Sequence, residues 1–292
     1  MSTTQKKRVV VISPTAGFGN RIRAMCSAAI IAKRMKAKLV HCWDGGKYDC
    51  GNHSRLPSTQ GYHDRGFEFF FKRDYIPRYD PEVYEKPEIC FTEWNDPRNI
   101  WTPIRDYGRR TINPPYTLQQ DQLLASEQLP KCSILLETSI AISKASEIEI
   151  SQTYQALFKP QDRFTEMVPI LPPKTTALHV RRGDFLWYFG STNVADDILL
   201  RYVQSFDDPV LIFSDDAALK EKLQAAVKVQ PNVILPTEGL CHEEQAFVEF
   251  LTMASAAQVI GTEGSSFSKE ASLFGAKPYY SLNEMIKPFS RA

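Results

Sequence analysis

RVVVISPTAGFGNRIRAMCSAAIIAKRMKAKLVHCW, residues 8–43, decides how the chain is read. RVVVIS (8–13) is a β-branched run, and a turn containing Gly17 and Gly19 follows at once. Such a run suits a buried strand, and glycines there allow a tight turn and close backbone approach. From Asn20 the period changes, with Ile22, Met25, Cys26, Ala29 and Ile30 on one helical face. Lys33, Arg34 and Lys36 stand where the negative end of a helix dipole favours cations. AKLVHCW (37–43) is then a second strand. Strand, helix, strand makes one βαβ unit and opens an α/β domain with a parallel sheet.

The second half repeats that logic more regularly. TTALHV (175–180), PVLIFSDD (209–216), NVILP (232–236) and QVIG (258–261) read as strands. DDILLRYVQSF (196–206), DAALKEKLQAAVKV (216–229), HEEQAFVEFLTMASA (242–256) and SSFSKEASLFGA (265–276) read as the helices that alternate with them. This alternation predicts a doubly wound, nucleotide-binding type of domain. The expected division is a Rossmann-like domain over 1–165 and a second over 170–292, joined through the Pro-rich QDRFTEMVPILPPK (161–174). Residues 50–115 break the pattern with Tyr, Phe, Trp, Pro and Arg. They fit either an aromatic-packed insertion or a surface where rings stack on an acceptor.

Composition removes several classes of function. An apolar fraction of 43% and a charged fraction of 24% are those of a globular protein. Lys plus Arg (35) nearly cancels Asp plus Glu (34), so the basic field of a nucleic-acid binder is missing. No apolar run approaches the roughly 18 residues of a membrane span. The basic lead MSTTQKKR is followed by too short an apolar run for a signal sequence. Six scattered cysteines without a CxxC pair fit reduced thiols, and a cytoplasmic location is the expectation. His41, Cys42, Cys50 and His53 match no common structural-zinc spacing, and no metal is expected.

Four stretches carry candidate chemistry. In TAGFGNRIRA (15–24), Gly17 and Gly19 could admit a ligand to the backbone, with Asn20 supplying an amide. The third glycine of a dinucleotide fingerprint is absent, since Ile22 stands there. In HVRRGD (179–184), Arg181 or Arg182 could fork onto a phosphate while the other pairs with protein carboxylates. His179 shares a strand face with Arg181. In FSDD (213–216), Asp215 and Asp216 lie at the carboxyl end of a strand, where such folds bind ligands, although Asp also caps helices. GTEGSSFSKEA (261–271) offers N–H groups and hydroxyls to a phosphate, or ordinary capping by Ser266 or Ser268 with Glu270.

GFGN, HVRRGD and SSFS, in this order, resemble the inverting GDP-fucose-using glycosyltransferases: the α-1,2-, α-1,6- and protein O-fucosyltransferases. The likeness spans residues 8–45 and roughly the C-terminal two-fifths of the chain. It implies the GT-B architecture, with two Rossmann-like domains facing each other across a donor-binding cleft and the acceptor on the N-terminal side. It also implies metal-independent transfer of L-fucose from GDP-fucose to a glycan hydroxyl, with no cofactor beyond the donor. Arg181 would bind the β-phosphate, and Ser265, Ser266, Phe267 and Ser268 would hold phosphates. Asp215 and His179 would contact the guanosine. Asn20 would sit near the sugar, with Gly17, Gly19, Arg182 and Asp216 around the donor. Where some relatives carry an acid in the glycine loop this chain has Ala16, which leaves Asp184, Asp44 and Glu263 as candidate bases. A GT-B transferase using another nucleotide sugar, an NAD-dependent oxidoreductase, and a non-catalytic nucleotide- or glycan-binding protein are the rival readings.

Overall fold

The structure is a computed structural model that describes residues 6–14, 17–43, 66–92, 116–118, 131–141, 143–182, 194–236 and 238–290. The chain divides into two compact units, Met1–Gln161 and Asp162–Ala292. Both are mixed α/β with parallel sheets.

In the first unit, β1 (Val9–Pro14) is buried along its whole length, as its β-branched run requires. It pairs in parallel with β2 (Lys38–His41) on one side, Val9 opposite Lys38. On its other side lies β5 (Ile134–Thr138), with Val10 opposite Ile134. β3 (Ile89–Thr92) and β4 (Tyr116–Leu118) extend the sheet to the order β2-β1-β5-β3-β4. The crossover helix α1 (Phe18–Met35) carries the predicted apolar face, and it is buried further round than that face requires. Even Arg21 and Ser27 are nearly inaccessible. The outer edge of β2 is covered as well, since the His41 N–H donates to the Pro77 carbonyl at 3.0 Å.

Part of the aromatic-rich stretch is core. Phe67, Phe70 and Phe71, on and after α2 (Phe67–Phe70), are buried with Phe158 and Trp43. Phe67 stacks on Phe71 at 5.0 Å, and Phe71 meets Phe158 edge-on at 5.5 Å. Phe158 follows α3 (Glu147–Leu157), whose N-cap Ser146 accepts the Glu149 N–H.

The second unit begins with α4 (Asp162–Thr165). Phe164 there packs edge-on against Phe247 at 4.9 Å, and Arg163 pairs with Glu244 at 3.2 Å. Four parallel strands follow in the order β7-β6-β8-β9: β6 (Thr176–Val180), β7 (Val210–Ser214), β8 (Gln258–Gly261) and β9 (Tyr279–Ser281). The helices between them are α5 (Asp196–Val203), α6 (Ala217–Ala226), α7 (His242–Ser255) and α8 (Ser266–Phe274). Leu178, Val180, Ile212, Leu199, Leu223 and Ile260 are among the core residues of this unit.

One expected strand is missing. NVILP (232–236) forms no strand, and Ile234 is 89% exposed. Asn232 has φ +51°, which breaks an extended path. The Ile212 N–H that such a strand would meet is taken by Gln224 Oε1 at 3.3 Å. A side chain thus closes the edge of β7 in place of a backbone ladder. No helix among the described residues is long and apolar enough to cross a membrane.

Candidate functional site

Strand β6 lies between β7 and β8, and its ladder stops before Arg181. Backbone hydrogen bonding continues through side chains. The Arg181 N–H donates to Thr262 Oγ1 at 2.9 Å, and the Arg182 N–H donates to Asp215 Oδ1 at 2.7 Å. Thr262 directly follows β8 and Asp215 directly follows β7, so each flanking strand end supplies one acceptor. Ser214 Oγ adds a bond to the Val180 carbonyl at 2.7 Å. The backbone of the arginine pair is therefore fixed from both flanks, which satisfies donors that a strand end would otherwise leave open.

The two arginine side chains are used differently. Arg182 turns into the protein: Nη2 donates to the Val194 carbonyl at 2.7 Å and Nη1 pairs with Asp196 Oδ1 at 2.6 Å. Asp196 also receives Lys222 Nζ at 3.0 Å. The Lys222 and Arg182 hydrogen bonds hold its carboxyl below the ordinary Asp range. Arg181 keeps about a third of its side chain accessible, with Nε 3.7 Å from Asp215 Oδ2. Of the pair, Arg181 has the more accessible side chain.

His179 is buried two residues before Arg181, and its Nδ1 has no hydrogen-bond partner among the described residues. Its ring lies 5.6 Å from that of Phe267. Burial, helped by the positive Arg181 and Lys220, pushes its pKa down to about 3. The imidazole is therefore neutral near pH 7 and can read a polar edge but cannot neutralise a phosphate.

Helix α8 starts after Ser265, whose side chain makes no cap bond. Ser266 and Ser268 both stand inside the helix, so the alternative of capping by either does not occur. An uncapped first turn presents N–H donors and the positive dipole end, the arrangement that binds anions. Ser266 and Phe267 are half-buried, whereas Ser268 is wholly buried. A Cβ added at Gly261 would lie 2.2 Å from Ser268 Oγ, so Ser268 occupies the space that this glycine leaves. Asp216 is the N-cap of α6, accepting the Leu219 N–H at 3.0 Å. Glu263 is exposed.

In the first unit, Gly17 is the N-cap of α1 with φ −66°, a value open to any residue. A Cβ there would meet nothing within 4 Å. Among the described residues neither the backbone nor packing demands a glycine at this position. Gly19 is buried within the first turn. Asn20 Oδ1 accepts Arg23 Nη2 at 2.9 Å, and the same nitrogen donates to the Ser139 carbonyl. His41 and Cys42 are buried at the end of β2, and His41 Nδ1 accepts the Trp43 N–H at 3.2 Å. Asp184, Asp44, Cys50 and His53 lie outside the described residues. Among the described residues, no three His, Cys, Asp or Glu side chains gather as possible metal ligands.

Sequence reasoning assigned no role to Thr262, Ser214, Asp196 or Lys222, although Ser214 stands within FSDD and Thr262 within GTEGSSFSKEA.

No family model and no curated protein matches the sequence. Solved structures do match in fold. POFUT1 in complex with GDP-fucose aligns over 96% of this chain and 98% of its own, with a TM-score of 0.60 and 14% identity. The fucosyltransferase NodZ from Bradyrhizobium aligns over 92% of this chain and 93% of its own, with a TM-score of 0.58 and 17% identity. NodZ α-1,6-fucosyltransferase soaked with GDP-fucose gives 0.56 over the same share of both chains. At this level of identity the likeness is one of architecture, and the chain has the fold of the fucosyltransferases POFUT1 and NodZ.

Proposed function

We propose that the chain is a fucosyltransferase that moves L-fucose from GDP-fucose to a glycan hydroxyl, with inversion and without a metal ion. Its two units would be the acceptor-side and donor-binding halves of a GT-B enzyme. One observation carries this reading: Arg181, clamped at the end of β6, is linked through Thr262 to the uncapped start of α8. It supports a diphosphate site on a fold shared with proteins solved with GDP-fucose.

The acceptor oxygen attacks the anomeric carbon from the face opposite the diphosphate. The anomeric C–O bond breaks, and its electron pair leaves with GDP. The acceptor proton passes to a base, for which Asp184 is the candidate, or to solvent. Charge builds on the departing β-phosphate, where Arg181 and the first N–H groups of α8 would meet it. Prearranged donors of this kind are worth about 3–4 kcal/mol each when water is excluded. Neutral His179 would face the guanosine, and the backbone at Gly17 and Gly19 would approach the donor beside Asn20. The thiols Cys26, Cys42, Cys132 and Cys241 form no disulfide, which suits a reducing compartment.

The test is a melting series with GDP, GDP-fucose, UDP-sugars and NAD, followed by GDP release from GDP-fucose in EDTA. GDP at a hundredfold over its dissociation constant should add about 2.7 kcal/mol of stability. Stabilisation by UDP-sugars or NAD but not by GDP would remove the reading. Binding without release in any glycan mixture would favour a binding protein.

A further inference from the structure

We propose that Thr262 is a positioning residue: it locks the Arg181 backbone to the start of helix α8, joining the two halves of the phosphate site. This rests on the donor-site reading above.

Thr262 is 4% exposed, so it cannot serve the donor by contact. Every polar group it has is engaged on the elements around that site. Its N–H donates to the His179 carbonyl at 3.1 Å. Its hydroxyl donates to the same carbonyl at 3.3 Å and accepts the Arg181 N–H at 2.9 Å. Its carbonyl accepts the Ser265 N–H at 3.0 Å, and Ser265 is the residue from which α8 departs. One residue thus fixes His179, Arg181 and Ser265 relative to one another.

The residue type fits the task. A hydroxyl can donate and accept at once, whereas an amide or a carboxylate cannot fill both roles from one atom. The branched Cβ restricts χ1, which keeps that oxygen between the two backbones. Valine preserves the shape and removes both bonds, and serine preserves the hydroxyl with less restraint. Arg181 also has Asp215 near its Nε, so Thr262 sets the backbone from which the guanidinium projects, and Asp215 acts nearer its tip.

The test compares Thr262→Val with Thr262→Ser, each also in an Arg181→Ala background. Turnover of GDP-fucose, GDP affinity and amide hydrogen exchange at Arg181 are read on the full chain. Thr262→Val should speed exchange at Arg181 and lower kcat/KM by about tenfold or more, as small misplacements of catalytic groups do. Thr262→Ser should recover most of the loss, and Thr262→Val should add nothing once Arg181 is alanine. Unchanged exchange at Arg181 in Thr262→Val would overturn the inference even if GDP binds. An equal loss in the Arg181→Ala background would overturn it too, by showing a general structural effect. A wild-type chain that neither binds GDP nor releases it would sink the donor reading, while the exchange measurement would still decide whether Thr262 fixes Arg181.

Discussion

Asp215 accepts the backbone N–H of Arg182 at 2.7 Å through Oδ1, while its Oδ2 stands 3.7 Å from Nε of Arg181. One carboxylate therefore holds the loop and faces the guanidinium that the donor would meet. Asp215→Ala should weaken GDP binding, because the Arg182 N–H and the Arg181 guanidinium both lose the carboxylate that positions them. Asp215→Asn keeps an acceptor for Arg182 and should fall between wild type and alanine. Calorimetric titration with GDP reads the order, and equal affinities would contradict it.

His41 and His179 make stability depend on pH. Both are pushed down to about 3, chiefly by burial, with Arg78 and Arg73 acting on His41 and Arg181 and Lys220 on His179. Below about 6.5 the unfolded chain binds these protons and the folded chain does not until about 3. Stability is therefore fully present above that range and falls with pH, by at most about 1.4 kcal/mol per unit for each histidine. Urea midpoints from pH 7 to 4.5 should drop, and His179→Gln should flatten the slope. Parallel slopes would show that His179 takes up a proton in the folded state.

Gly261→Ala should destabilise the second unit, since its Cβ would meet Ser268 Oγ at 2.2 Å and Ser268 Cβ at 2.8 Å. Overpacking of this kind costs about 1–3 kcal/mol. Adding Ser268→Gly should recover part of the loss in Tm. No recovery would mean that the neighbouring Tyr279 ring, 3.0 Å from the added Cβ, sets the limit.

Gly17→Ala is expected to separate stability from function. The added methyl meets nothing within 4 Å, so Tm should hold, while GDP-fucose turnover falls if the donor approaches that backbone. Full turnover would remove Gly17 from the donor site.

The βαβ opening was legible because Val9–Ile12 and the α1 face announce themselves through local pattern. Asp216 as a cap was legible for the same reason. NVILP was not, because Asn232 adopts a left-handed conformation and Gln224 closes the strand edge, and neither fact is visible in hydrophobicity. Phe67 and Phe71 fitted core and surface equally until their packing against Phe158, far along the chain, was known. The motif HVRRGD named the arginines and offered a division between phosphate and protein carboxylates, but not the residues that enforce it. That division depends on Asp196, Asp215 and Thr262, residues brought beside the pair only by the parallel sheet.

Titrating GDP into wild-type protein and into Arg181→Ala by calorimetry tests the central claim most directly. Wild type should bind, and Arg181→Ala should lose about tenfold or more, the range expected for a charged hydrogen bond worth about 1.5–3 kcal/mol. GDP binding that is equal in the two proteins would contradict a diphosphate site built on Arg181.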